Sequence, residues 1–253
     1  MVRLITIYIL LLCSATAYGQ GKISRTTPHT NTSSSKVSTK LSVSGTANGH
    51  DYVDLGLPSG MLWATTNIGS ASPAGYGNYY SWAETSPKNT YTKDNSKTYN
   101  LSRYADGLGD IKSDTVRAIV RIYNNPKYDA ATSNWGQQWQ MPSSDDFAEL
   151  NKHCSWQLRT IDGHKGYLIT GPNGNSMYLP MAGDMDQSHK CQVGSGGFYW
   201  TGDFWDDVAR STMFDFHEGS HNGVIWSYRH TGKSIRPVLH DRKSQNSFNW
   251  SNE

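Results

Sequence analysis

The stretch NWGQQWQMPSSDDFAEL, residues 134–150, places two tryptophans directly before a helix start. Pro142 ends the preceding extended segment, because proline has no backbone N–H to donate. Ser143 and Asp146 have the spacing of a capping box, in which the two residues satisfy each other's backbone N–H groups. We therefore predict a short helix that begins here. Three apolar residues recur at helical spacing and give this helix one narrow stripe: Phe147, Leu150 and Cys154.

Short β-type runs follow the predicted helix. They occupy residues 156–161, 166–170 and 176–180, and the segments between them are rich in Gly and Asn. Such turn chemistry predicts an antiparallel meander. After a Gly-rich, polar loop at 183–197, further strand-like runs read FYWTGD, ARSTMFDFHEG, GVIWSYRH and SIRPVLH.

Two earlier segments are also informative. The run DYVDLGLPSGMLWATTNIG, which begins at Asp51, predicts one or two strands around its Gly-Leu-Pro-Ser-Gly turn. Residues 114–123 fit either a helix or a strand, and we favour the helix.

Strands outnumber helices, which predicts an α+β class with an antiparallel sheet. The chain has 9 Trp and 15 Tyr, and such large side chains can close a core whose regular elements are small. Trp135 and Trp139 are expected to fill the space between helix and sheet. Arg236 is expected to pair with a carboxylate or carbonyl inside the fold. The predicted structural core residues are Trp63, Trp82, Trp135, Trp139, Trp200 and Arg236.

The N-terminus predicts export. Residues 1–19 have Arg3 before a short apolar run and end in small residues, as a secretory signal peptide does. A membrane anchor is the alternative, but the run falls short of the roughly 20 apolar residues that a span requires. A Ser/Thr-rich linker is predicted at 20–48, one domain at 49–239 and a polar tail at 240–253. The expected location is the periplasm, the outer-membrane surface or the medium.

Charge and cysteine content bound the partners further. A net charge of +2 with scattered Lys and Arg argues against a nucleic-acid partner, which needs a basic stripe. Once the signal peptide is removed, Cys154 and Cys191 remain. In an oxidising compartment they form a disulfide, or Cys154 is a buried thiol on its helix. Neither has neighbours that would make it a nucleophile.

Several segments carry a family resemblance, and they read HDYVDLGLPSGMLWATTNIGSASPAGYGNYYSWAET, YDAATSNWGQQWQMPSSDDFAEL, GNSMYLPMAG, GGFYWTGD and KSIRPV. Over about residues 50–238 they resemble the Fibrobacter succinogenes major paralogous domain family of Bacteroidota. The resemblance implies a C-type-lectin-like fold, without calcium motifs, similar to formylglycine-generating enzymes and to retroelement-diversified ligand-binding proteins.

The chain departs from that family's pattern at informative places. Gln140 stands where the family usually has Arg, and Thr66 stands where it often has Cys. The formylglycine-generating relatives use cysteines near the chain end, and none follows Cys191 here. The resemblance therefore does not imply that their catalysis is retained.

Motifs that could carry chemistry are weak. His217 to His221 spell H-E-x-x-H, a zinc-hydrolase string that works only on a helix. Here it follows a period-2 run and precedes Asn-Gly, which favours a hairpin loop. The Gly-rich residues 193–198 lack the lysine and helix of a phosphate cradle. Five aspartates could bind calcium but lack a fixed ligand spacing, and solvated loop carboxylates are the simpler interpretation: Asp184, Asp186, Asp203, Asp206 and Asp207.

Binding is the remaining function. Aromatic residues mixed with hydrogen-bonding groups crowd the C-terminal third, and flat rings of this kind suit sugars or protein partners. The candidate ligand-binding residues are Trp205, Asp206, His217, His221, Trp226, Tyr228, Arg229 and His230, beside Phe204. About half of the aromatic rings should face the core, since strand side chains alternate. We expect Trp205, Tyr228 and His230 to be exposed.

These observations favour an exported, non-enzymatic ligand-binding or adhesin-like module that recognises a glycan or protein at the cell surface and needs no cofactor. An enzyme is one alternative, either of formylglycine-generating type or a zinc hydrolase using His217, Glu218 and His221. A structural protein of the cell envelope is another.

Overall fold

The computed structural model describes residues 41–99, 102–103, 118–119 and 122–240. The predicted signal peptide, most of the predicted linker and the tail from residue 241 lie outside the described residues. The predicted linker boundary at Asn48 is wrong, because Gly45–Ala47 already form a strand. Asn48 and Gly49 have positive φ values of 48° and 79°, which close a tight hairpin onto the next strand.

Fourteen strands and two helices make up the described fold. The strands are β1 (Gly45–Ala47), β2 (His50–Asp54), β3 (Met61–Ala64), β4 (Ser102–Arg103), β5 (Ala118–Ile119), β6 (Ser155–Ile161), β7 (His164–Thr170), β8 (Ser176–Pro180), β9 (Asp184–Asp186), β10 (His189–Cys191), β11 (Gly196–Phe204), β12 (Arg210–His217), β13 (Ser220–Tyr228) and β14 (Val238–His240). The helices are α1 (Ala130–Trp135) and α2 (Ser144–His153).

Ten of these strands form three antiparallel sheets of three or four strands each, and the other four form the pairs β9–β10 and β4–β5. The first has the order β1-β2-β3-β14, so the last strand returns to the first, with Val238 opposite Trp63. The second is the predicted meander β6-β7-β8, and the third has the order β11-β12-β13. The fold is therefore α+β, dominated by antiparallel strands with two short helices, and this part of the predicted class is confirmed.

Two segments differ from the sequence-based expectation. The predicted loop at 183–197 contains the hairpin β9–β10, which turns at Gln187 with φ 53°. At 114–123 the favoured helix is wrong where the structure describes it, since Ala118–Ile119 pair in parallel with Ser102–Arg103. The β-branched and apolar content of that run suits a strand as well as a helix.

The two helices begin at side-chain caps. Ser143 and Asp146 form the predicted capping box of α2, which is confirmed. The short helix α1 was not predicted. Its cap, Asp129, is fully buried and accepts from the backbone N–H groups of Ala131, Thr132 and Met141. Burial raises the pKa of Asp129, and these backbone donors oppose that effect.

The buried side chains form two main clusters, and each contains tryptophan. Trp82, Trp135, Trp139 and Trp200 share one cluster, whereas Trp63 shares the other with Phe147 of α2. All five tryptophans are at most 6% exposed. The sequence led us to expect that Trp135 and Trp139 fill the space between α2 and the sheet. This expectation is wrong, because they lie in the cluster that does not contain Phe147.

The β1–β2 hairpin covers these two tryptophans instead. His50 stacks on Trp135 with ring centroids 3.8 Å apart, and the Trp139 indole donates to the Ala47 carbonyl at 3.0 Å. Gly136, with φ 94°, caps the C-terminus of α1 between the two tryptophans. Their rings also meet edge to face, with centroids 5.2 Å apart.

Buried cations hold the final segment in place. Arg236 donates to the Ala64 and Tyr178 carbonyls and to the Asn67 side chain, all within 3.0 Å. Lys233 donates to Asp184 at 3.2 Å and lies 4.8 Å from the Trp200 ring centroid. These contacts connect the end of the domain to all three sheets.

Candidate functional site

The third sheet has an aromatic face that α2 covers only in part. Phe214 stacks on Phe147 of α2, whereas Trp226 and Tyr228, farther along the sheet, remain 40% and 44% exposed. Within the described residues β13 is an edge strand. Cross-strand register places Trp226 opposite Thr212 and Tyr228 opposite Arg210. The two exposed rings therefore share one face, since alternate strand residues point the same way.

We call Trp226 and Tyr228, together with the cations Arg210 and Lys93, the aromatic strip. The Trp226 and Tyr228 rings meet edge to face with centroids 5.9 Å apart. The Arg210 guanidinium lies 4.4 Å from the Trp226 centroid, and the Lys93 ammonium lies 5.7 Å from the Tyr228 centroid. Each of the two edge-to-face rings thus has a cation beside it.

Asp207 orients the first cation. Its carboxylate accepts from Arg210 Nε and from the backbone N–H groups of Ala209 and Arg210 at 2.9 and 2.8 Å. Burial raises the pKa of Asp207, but the hydrogen bond from Arg210, the two backbone donors and the Arg210 charge together outweigh it, so the net effect is a lowered pKa. Within the described part of the chain the terminal nitrogens of Arg210 have no acceptor, so they are available to a ligand.

The second cation comes from a different part of the chain. Lys93 is exposed, and its ammonium lies 5.7 Å from the ring centroids of both Tyr99 and Tyr228. No carboxylate in the described ranges forms an ion pair with Lys93. Below it, His230 contacts both tyrosine rings at 5.6 Å.

Two predicted ligand contacts are buried instead. His230 is 8% exposed and Arg229 is 1% exposed, so the expectation of exposure for His230 is wrong. Strand alternation stops at Tyr228, and the chain then turns inward, where Ser81 donates to the His230 carbonyl. The Arg229 guanidinium lies 4.5 Å from the Trp82 centroid and donates to the carbonyls of Asp207 and Thr98.

Other predicted ligand residues lie around the strip or away from it. Trp205 and Phe204 are half-buried, and Asp206 is exposed on the loop before β12. His217 lies at the far end of β12, where its Nε2 is 3.0 Å from Asp215 Oδ1. His221 belongs to β13, but its side chain lies outside what the structure describes.

The H-E-x-x-H string is not helical. His217 ends β12, Glu218 and Gly219 form a turn, and Ser220 begins β13, so the predicted hairpin loop is confirmed. Glu218 pairs with Lys165. In the described parts of the chain no group of three His, Cys, Asp or Glu side chains is placed to hold a metal ion.

Of the five aspartates considered for calcium, three have protein partners and two are exposed. Asp184 pairs with Lys233, Asp207 with Arg210, and Asp203 accepts from Tyr123 and from the Ser144 backbone N–H that begins α2. Asp186 and Asp206 are exposed. The acidic residues thus serve as caps and ion-pair partners.

The candidate disulfide is not formed. Cys154 caps the C-terminus of α2 and packs against the second cluster, whereas Cys191 ends β10. Burial raises the pKa of Cys154 to about 11, so its reactive thiolate is scarce near neutral pH.

This arrangement predicts the result of digestion without reductant. Mass spectrometry should find Cys154 and Cys191 in separate peptides, with slow alkylation of Cys154 in the native protein. A denatured sample, alkylated in parallel, controls for reagent activity. A cross-linked peptide containing both cysteines would contradict the structure.

His230 predicts a pH dependence of stability. Burial lowers the pKa of His230 from 6.5, and nearby Lys93, Lys233 and Lys88 act in the same direction against Asp186. The unfolded chain then binds the proton more readily than the native fold. Stability is therefore fully present above the unfolded value of 6.5 and is lost as pH falls through the lower folded value.

The measurement is urea unfolding from about pH 7.5 to about pH 5, the range in which a histidine titrates. The wild type should lose more stability over this range than His230→Gln, whose side chain does not titrate. Equal losses in both proteins would show that His230 does not carry the effect.

Sequence reasoning missed three residues of the site. Arg210 could have been found by pairing β12 with β13 across their turn, which places it on the Tyr228 face. Lys93 and Tyr99 come from a long loop with no periodic pattern, and only the tertiary fold brings them to the strip.

No family model matches the chain, and neither a curated protein nor a solved structure matches it. No helix in the described ranges has both the length and the apolar character needed to cross a membrane.

Proposed function

We propose that this protein is an exported, non-enzymatic ligand-binding or adhesin-like module that recognises a glycan or a protein surface through the aromatic strip. We further propose that its core is C-type-lectin-like and that it belongs to the Fibrobacter succinogenes major paralogous domain family. The order of the resembling segments and the antiparallel α+β fold support this assignment.

The exposure of Trp226 and Tyr228 carries the proposal. Most large aromatic side chains of the described residues are buried, yet these two remain 40% and 44% exposed on a regular strand. Rings offer a large contact area at a low cost in conformational entropy. A rigid sheet holds them in place, so little further ordering is needed on binding.

The enzyme alternatives gain no support from the geometry. A zinc hydrolase needs both histidines of its string on one helical face, and here the string spans a hairpin turn. The thiol of Cys154 is poorly ionised and lies at a helix end rather than beside a base. No specific observation favours catalysis over binding.

The test is a binding screen with a matched pair of variants. Wild-type protein should bind at least one member of a glycan array or of an envelope-protein array. The double variant Trp226→Ala/Tyr228→Ala should lose that binding. Ile225→Ala is the control, because this side chain is 36% exposed on the opposite face of the same strand.

Two results would count against the proposal. One is a folded wild-type protein that binds nothing above background. The other is equal binding by the wild type and the double variant, which would place the contact elsewhere.

A further inference from the structure

We infer that the aromatic strip recognises an acidic glycan, one whose sugar rings carry carboxylate or sulfate groups. This inference rests on the proposed function and names the ligand class for the same site. Its basis is that each exposed ring has a cation beside it, Arg210 at Trp226 and Lys93 at Tyr228.

The size of the strip favours a sugar chain over a protein. A stable protein interface buries roughly 800 Å² on each partner around a well-packed apolar centre. Here the exposed apolar groups on this face are two rings, since Ile225 points to the other face. Two adjacent rings on one strand can instead contact successive sugar rings, which have apolar faces of similar size.

Arg210 is prepared to receive an anion. Asp207 accepts from Nε, and the guanidinium carbon lies 4.4 Å from the Trp226 ring centroid, so these two contacts already restrict the side chain before a ligand binds. The guanidinium fork matches the two oxygens of a carboxylate or sulfate. A neutral sugar would leave these donors without a charged partner.

Lys93 supplies the second positive charge beside the rings. Asp207 balances Arg210, whereas Lys93 has no ion-pair partner in the described ranges. Its contacts with Tyr99 and Tyr228 keep it beside the rings. A glycan with anionic groups on different sugars could therefore contact both cations while its rings cover Trp226 and Tyr228.

The experiment compares acidic and neutral polymers with the mature protein. Polygalacturonate tests carboxylates, dextran sulfate tests sulfates, and fully methyl-esterified polygalacturonate and dextran are the neutral counterparts. Binding to at least one acidic polymer should exceed binding to its neutral counterpart by about tenfold, as expected for a charge-assisted contact. Added salt should weaken the acidic interaction.

Variants separate a specific site from general charge attraction. Arg210→Gln and Lys93→Gln should each weaken acidic binding by several-fold to about tenfold. Lys152→Gln removes the same charge from an exposed position on α2 and should have little effect. Equal losses in all three variants would overturn the inference.

The two proposals fail in different ways. If the wild type binds only neutral glycans or a protein, and the double variant Trp226→Ala/Tyr228→Ala abolishes that binding, the acidic ligand is wrong and the binding function stands. If the double variant binds every partner as the wild type does, both proposals fall. Chemical shifts of the two ring systems on titration report which case holds.

Discussion

Trp200→Ala should destabilise the protein by about 4 kcal/mol, within the usual range for truncating a buried tryptophan. Trp200 is fully buried on β11, its indole donates to the Tyr80 carbonyl at 2.8 Å, and the Lys233 ammonium lies over its ring. The substitution opens a cavity where β11 of the third sheet packs against the segment that contains Tyr80. It also removes the aromatic surface that faces a buried cation.

Urea unfolding measures this effect, with Trp200→Phe as the graded control. Phenylalanine keeps most of the apolar volume but not the N–H group, so it should recover more than half of the lost free energy. A Trp200→Ala loss below about 1 kcal/mol, the size of a typical surface effect, would show that this ring does not close the core.

Arg236→Met should destabilise the fold by about 3 to 5 kcal/mol, because three buried acceptors lose their charged hydrogen-bond donor. Arg236 is fully buried and donates to the Ala64 and Tyr178 carbonyls and to Asn67. Methionine replaces the apolar stem but leaves these acceptors without their donor. The first and second sheets would lose the group that joins them.

Arg159→Met is the matched control for this prediction. Arg159 is half-buried on β6 and donates only to its neighbours, the Leu158 carbonyl and the Gln157 side chain. Its loss should therefore change the unfolding free energy by less than about 1 kcal/mol. If both variants lost the same unfolding free energy, the stabilising role of Arg236 between the first and second sheets would be wrong.

Local sequence signals predicted local structure well. The Ser143 capping box and the meander β6-β7-β8 follow from spacing and turn residues that act within about ten residues. The hairpin interpretation of the H-E-x-x-H string succeeded for the same reason, since Gly219 and Ser220 oppose a helix wherever they occur.

Contacts between distant segments were beyond sequence reasoning. Trp135 and Trp139 pack against the β1–β2 hairpin, which lies more than 80 residues earlier in the chain, and no local pattern encodes such a contact. The sequence led us to expect Tyr228 and His230 to be exposed, but it could not foresee that the chain buries His230 immediately after the strand. Lys93 reaches the strip only through the tertiary fold.

The third sheet buries one group of aromatic side chains and displays another. On β11 and β12, Trp200 and Phe214 are fully covered, whereas Trp226 and Tyr228 on β13 remain open. The proposed binding site depends on this division, because a ring that the fold needs for its own stability would not be evidence for a ligand site.

The unfolding free energy of Trp226→Ala/Tyr228→Ala shows whether these two rings belong to the exposed strip or to the core. If the strip is displayed rather than structural, the double variant should lie within about 1 kcal/mol of the wild type, with an unchanged circular dichroism spectrum. A loss of about 3 kcal/mol or more, comparable with that of a buried aromatic residue, would contradict it and assign both rings to the core.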